Sequence, residues 1–267
     1  MVNNITFEIL GEKINSYVEQ TNKPKKVLFL HGFNSSFKIF EKIINEKNRD
    51  FDVATFDFPG CGSSSCENKV CLEIYQQITR EFIKLIGYNK CIIVSHSLGA
   101  VSALRAVVDG YAQYAILTSP YNYYWNTHPL LNQKMISQYK ENSFKNSILE
   151  LNGKMKTGIE KINFEMAKFF LKNNKFHFLC FEQIFNTEYT ESVIRPLFNS
   201  THQYSIITGK NDFYVPYDTC VKVANDQNIE IISFDNVSHH LWIDINQSQT
   251  QMIIGYIEHI FDKDIKC

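Results

Sequence analysis

Three side chains in this sequence have the chemistry of an activated nucleophile, and each follows an apolar run. Ser97 sits in CIIVSHSLGAVSALRAVV, residues 91–108, between an apolar stretch and a helical one. Asp212 sits in ITGKNDFYVP and His239 in FDNVSHHLWID. A serine hydroxyl is inert toward a carbonyl carbon until a base takes its proton. Histidine does this near neutral pH, and a carboxylate behind the imidazole fixes its tautomer and stabilises its charged form. In chain order the set is Ser97, Asp212, His239, each just past a different strand-like segment. His240 is the alternative base. Asn211 beside Asp212 cannot carry the charge, and Asp235 lies four residues before the histidine, where a strand end would hold it, so Asp212 is the expected acid.

The bland reading of Ser95-His96-Ser97 is a strand-to-helix loop whose small polar residues cap the helix. The catalytic reading needs small neighbours, because side chains two before and two after the nucleophile crowd together in so tight a turn. Gly99 meets the second requirement and Ser95, a small polar residue, stands at the first. LFLHGFNSS ends another apolar strand in His31-Gly32, so the backbone after it is expected beside Ser97. The N–H groups of Phe33 and Leu98 would then converge on one point, the arrangement that stabilises a developing oxyanion by roughly 3 kcal/mol per donor.

The elements that must position these groups alternate along the chain. ITFEIL and KINSYVEQ read as an N-terminal hairpin. KKVLFLHG and FDVATFDFPG read as strands covered on both faces, since they are almost continuously apolar. VCLEIYQQITREFIKLIG has helical spacing and stops at Gly87. YAILTSP, YSIITGKND and IEIISFDN supply further strands, and QTQMIIGYIEHIFDK a last amphipathic helix. This alternation predicts an α/β fold with a mostly parallel, doubly wound sheet, whose sites lie at the carboxyl ends of the strands. It breaks over 121–200, where NFEMAKFFLKNN and HFLCFEQIFN predict a helical cap inserted between core segments 1–120 and 201–267.

The bulk numbers exclude several classes. Lys and Arg number 27 against 28 Asp and Glu, a net charge of −1, without the basic excess that nucleic acid or an anionic membrane demands. No apolar run approaches the length of a membrane span, and no basic start with an apolar run marks a signal peptide. KFFLKNNKFHFLCF allows at most a weak interfacial contact with lipid, its lysines being few and spaced. Seven cysteines without a CxxC pair read as reduced thiols, hence a cytoplasmic setting. Metal-type clusters are also absent, so no metal site is expected.

Five stretches in this order, HGFNSS, DFPGCGSS, SHSLGA, GKNDFYVP and SHHLWID, resemble the motifs of the α/β-hydrolase fold family, in particular its serine esterases and lipases. The likeness runs from about residue 25 to the C-terminus and hardly touches 121–200. In similar hydrolases the catalytic histidine often precedes an acid by five positions, which favours His239, followed by Asp244, over His240. A serine at position 97, where aspartate would imply a dehalogenase or epoxide hydrolase, implies acyl transfer. The resemblance therefore implies a cofactor-free serine hydrolase of carboxylic esters with small to medium apolar acyl groups, monoglycerides and lysolipids among them. Tyr121, Tyr123, Tyr124 and Trp125 are candidate walls of the substrate pocket. His96 is expected to pack into the core, His31 to organise the oxyanion loop, and Asp57 to stabilise a turn. Three alternatives share the core. One is a proline-releasing aminopeptidase, with cap carboxylates from Glu141, Glu150, Glu160, Glu165, Glu182, Glu188 or Glu191 holding the substrate ammonium. Another is a carbon–carbon bond hydrolase, and the third a catalytically silent binding protein. Oligomeric state is not legible.

Overall fold

A computed structural model describes residues 4–127 and 174–263. Eight strands form one sheet in the order β1-β2-β4-β3-β5-β6-β7-β8. The first two, β1 (Asn4–Ile9) and β2 (Glu12–Val18), form the expected hairpin and join the sheet antiparallel to β4 (Phe51–Phe56). From there β3 (Lys25–Leu30), β5 (Cys91–His96), β6 (Ala112–Thr118), β7 (Tyr204–Gly209) and β8 (Ile231–Phe234) run parallel. Every residue of β4 and β5 is buried, because helices cover both faces, and this is why these strands read as unbroken apolar runs.

The two-residue period of a strand divides the core into two layers. Leu28, Leu30 and Ile93 face one way, against α2 (Leu72–Ile86) and α3 (Gly99–Val108). Val27, Phe29, Ile92 and Val94 face the other, toward α1 (Glu41–Asn45) and α5 (Gln247–Asp262). Between β7 and β8 lies α4 (Tyr217–Gln227). The expected stop at Gly87 is present. Gly87 ends α2 in the left-handed region at φ 71°, its N–H reaching back to Ile83 and Lys84, and Asn246 with Gln249 forms a reciprocal capping box on α5.

Of the segment 121–200, the described parts are 121–127 and 174–200, which are short helical pieces. HFLCFEQIFN contains a π-helical turn, Leu179–Ile184. NFEMAKFFLKNN lies almost wholly outside the described residues, as do the first residues of KFFLKNNKFHFLCF and the candidates Glu141, Glu150, Glu160 and Glu165. Gln183 fastens this region to the core. Its carbonyl accepts the Leu72 N–H at 2.8 Å and its amide donates to Glu73 at 2.7 and 2.9 Å.

The junction of β5 and α3 is tightly packed. Ser97 has φ 51°, a left-handed backbone that costs a non-glycine residue of order 1–3 kcal/mol. Hydrogen bonds from the sheet and the next loop hold it there: the Ser97 N–H donates to Thr118 O at 2.9 Å, and Ser97 O accepts from Tyr121 at 3.1 Å. A Cβ on Gly99 would stand 2.7 Å from His31 O and 2.8 Å from Leu30 O. Both are backbone atoms, which cannot swing aside. We therefore expect Gly99→Ala to lower unfolding free energy in urea by about 1–3 kcal/mol, the usual cost of overpacking. Native-like stability of that variant would show that the junction relaxes freely.

Candidate active site

Three strand ends bring the sequence-selected residues together. The Ser97 hydroxyl at the end of β5 lies 3.1 Å from His239 Nε2. On the opposite side of the ring, His239 Nδ1 is 2.8 Å from Asp212 Oδ2. Asp212 is buried and its other oxygen accepts two backbone N–H groups, from Tyr214 at 2.9 Å and Val215 at 2.7 Å. With Oδ1 occupied in this way, Oδ2 is directed at the imidazole and fixes its tautomer with the proton on Nδ1, leaving Nε2 free to accept from Ser97.

The loops carrying Asp212 and His239 are tied to each other. Lys210 donates its N–H to Phe234 O and Asn211 to Val237 O, both at 3.0 Å. Asp244, the acid five residues past His239, turns back to accept from the Ser238 N–H at 2.8 Å and the Ser238 hydroxyl at 2.6 Å. That spacing thus has a physical content here, the closing of the histidine loop. His240 is exposed at the cavity rim, its ring 6.3 Å from that of His239, and its backbone N–H bonds Ser238. Asp235 is exposed and pairs with Lys210.

The loop after β3 runs against the Ser97 turn. A Cβ on Gly32 would lie 2.8 Å from the Ser97 Cβ and 3.2 Å from His96 O, so only glycine lets the two backbones meet. Phe33 and Leu98 both line the cavity beside Ser97, Leu98 at the start of α3. His31 is fully buried. The Phe58 N–H donates to its Nε2 at 2.9 Å, which leaves the ring proton on Nδ1, 2.7 Å from Gly32 O. Asp57 supports the same loop by accepting the Phe37 N–H at 2.8 Å, together with Asn15 and Ser63 at 2.9 Å each.

His96 departs in part from its expected place. It is buried and bonded, yet its ring also forms cavity wall, 4.9 Å from the His239 ring. Its partner Thr118 donates to Ser95 O at 2.8 Å and accepts from Trp242 Nε1 at 3.1 Å, so His96 Nδ1, 3.2 Å away, is the donor to that hydroxyl. Burial, with the neighbouring histidines, holds its pKa well below the ordinary histidine range, so the ring stays neutral.

The cavity encloses about 410 Å³, toward the small end of ligand pockets. Its wall is mostly apolar: Phe33, Leu98, Tyr121, Trp125, Ile184 and Phe185 line it, and none of the described residues around it is Asp or Glu. Of the four aromatic candidates, Tyr121 and Trp125 are in the wall. Tyr123 and Tyr124 are not. Both hydroxyls are drawn to Asp226 on α4, at 3.1 and 2.6 Å, and both rings lie under the Arg195 guanidinium. Cys180, Ile184, Phe185, Tyr214 and Trp242 were missed as cavity residues. The apolar spacing in HFLCFEQIFN marks a buried face but not what that face adjoins.

The chain matches the family described as the alpha/beta hydrolase fold over residues 25–264, and it belongs to that family. Two curated relatives, from Mycoplasma genitalium and Mycoplasma pneumoniae, both named "Putative esterase/lipase 2", are 25% and 24% identical; each alignment covers 81% of this chain, and 84% and 83% of the relatives. Among solved structures, a "putative lipase (lip1)" of Acinetobacter baumannii superposes with TM-score 0.71 at 15% identity, covering 98% of this chain and 92% of that one. The haloalkane dehalogenase DbeA of Bradyrhizobium elkani gives TM-score 0.69 at 12% identity, covering 98% and 99%. Such distant likenesses share the fold while their names differ in chemistry. The relatives' names together with the family support a hydrolase.

The buried neutral His31 has a measurable consequence. Burial lowers its folded pKa from 6.5 to about 4. Below pH 6.5 the unfolded chain takes up a proton that the folded one refuses, so this stabilisation is complete above pH 6.5 and is lost as the pH falls toward 4. The group alone is worth about 3 kcal/mol over that window. Urea titrations at pH 7 and 4.5 should show the loss. In His31→Gln, which does not titrate, that part of the acid slope should vanish, and an unchanged slope would remove His31 as its source.

Proposed function

We propose that this protein is a serine hydrolase that cleaves carboxylic esters through an acyl-enzyme on Ser97. The observation that carries the reading is the aligned relay from Ser97 Oγ through His239 to Asp212, with contacts of 3.1 and 2.8 Å. His239 takes the Ser97 proton as the oxygen attacks the carbonyl carbon, then gives it to the departing alcohol. Asp212 holds the imidazole and stabilises its positive charge. The backbone N–H groups of Phe33 and Leu98 receive the oxyanion, and the same histidine activates the water that frees the acid. No cofactor enters this scheme.

An apolar cavity of about 410 Å³ favours a small or medium acyl group, as in a short-chain ester, a monoglyceride or a lysolipid. Of the carboxylates that an aminopeptidase could use to pair a substrate ammonium, the described ones, Glu182, Glu188 and Glu191, are not in the cavity wall. Six described cysteines, none in a disulfide, suit a reducing, cytoplasmic setting. Among the described residues no helix is long and apolar enough to cross a membrane.

A fluorophosphonate reagent followed by peptide mass spectrometry should label Ser97, and labelling at another residue or none in folded protein would overturn the assignment. Ser97→Ala should lower kcat on a p-nitrophenyl ester by at least about a thousandfold with its thermal unfolding little changed. His240→Ala should keep most of the activity that His239→Ala loses, and the reverse result would make His240 the base.

A further inference from the structure

The aromatic wall of the cavity is wired to the acid of the relay. Trp125 is buried at the entry to the segment after β6, stacked on Phe185 with centroids 5.5 Å apart and edge-on to Tyr121 at 5.5 Å. Its indole N–H donates to the carbonyl of Tyr214 at 2.6 Å. The N–H of that same peptide group, belonging to Val215, donates to Asp212 Oδ1 at 2.7 Å. One planar peptide therefore carries a donor on its oxygen from the cavity wall and delivers its own donor to the carboxylate. Hydrogen bonds in series polarise one another, and a planar group cannot turn at one end alone. Beyond Asp212 the line continues to His239 Nδ1 at 2.8 Å, and the Tyr214 ring itself packs 5.2 Å from the His239 ring.

We propose that Trp125 is a positioning residue: through the Tyr214–Val215 peptide it orients Asp212, so that an acyl chain seated against the indole tightens the relay that attacks it. The proposal rests on the acyl-enzyme reading and deepens it, because it makes the acyl pocket a determinant of turnover and not of binding alone. A wall residue that only contacts the acyl chain sets affinity, whereas one that fixes the base through the acid sets the rate.

The test is Trp125→Phe, which keeps an aromatic wall and removes the donor, compared with Phe185→Leu, which alters the wall on the other face of the indole and keeps the donor. With p-nitrophenyl acetate and butyrate as substrates, Trp125→Phe should lose about tenfold in kcat with KM within about twofold. Phe185→Leu, which leaves the indole N–H in place, should change KM for butyrate by a larger factor than it changes kcat. A rise in KM with unchanged kcat in Trp125→Phe overturns the coupling, while fluorophosphonate labelling of Ser97 in the same sample shows that the hydrolase reading stands. Absence of both labelling and turnover in the unaltered protein brings down both. The sequence has only 2 tryptophans, so a measurement without substitution is also available. The ¹⁵N indole signal of Trp125 should resist solvent exchange and shift in Asp212→Ala, which removes the carboxylate at the far end of the shared peptide. A freely exchanging signal, unmoved by that substitution, would overturn the proposal even if the Phe variant failed to fold.

Discussion

Everything at this site depends on one strained residue, Ser97, held with a left-handed backbone between β5 and α3. The strain projects the hydroxyl clear of the sheet, and it is tolerated because the neighbouring chain over-determines it. Thr118 takes its N–H, Tyr121 gives to its carbonyl, and the backbones of Leu30, His31 and Gly32 close in to contact distance. Small residues are demanded on every side as a result: glycine at 32 and 99, serine at 95. Among the described residues the buried Ser95 hydroxyl has no hydrogen-bond partner, an arrangement that costs about 1–3 kcal/mol. The turn keeps its form with that serine in place, so a hydroxymethyl group under the turn is compatible with its geometry.

A second layer of order comes from neutral, fixed-tautomer histidines. His31 and His96 are both buried, and each has its tautomer dictated by partners whose roles cannot be exchanged: a peptide N–H for one, a threonine already committed to a carbonyl for the other. Desolvation keeps them uncharged, so they shape the loops around His239 without competing with it for protons.

The core was legible in the sequence because parallel strands covered on both faces must be apolar throughout, and KKVLFL, FDVATF and CIIVSH are close to that. Ser97, Asp212 and His239, which the structure brings together, were legible because acyl-transfer chemistry restricts residue type and each follows a strand. His96 shows the limit of that logic, since a buried and bonded histidine reads the same whether its far edge meets core or cavity. Tyr123 and Tyr124 show another. Their spacing suits a pocket wall, but Asp226, a hundred residues on, captures both hydroxyls. The cap-side wall, with Cys180, Ile184 and Phe185 on an irregular π-helical turn, follows no period from which a facing partner can be inferred.

The strand order carries a consequence for how the molecule comes into being. Ser97 and His239 are 142 residues apart, and the acid and base loops are joined to each other by β7 and β8, the last strands added at one edge of the sheet. Loop closure over such separations comes late in folding, after the local hairpins and helices. During synthesis, which releases the N-terminal part first, the serine turn has all its own strands long before His239 exists. On the proposed mechanism an incomplete chain therefore carries an inert hydroxyl, and reactivity arrives only with the final strand and the helix that seals it.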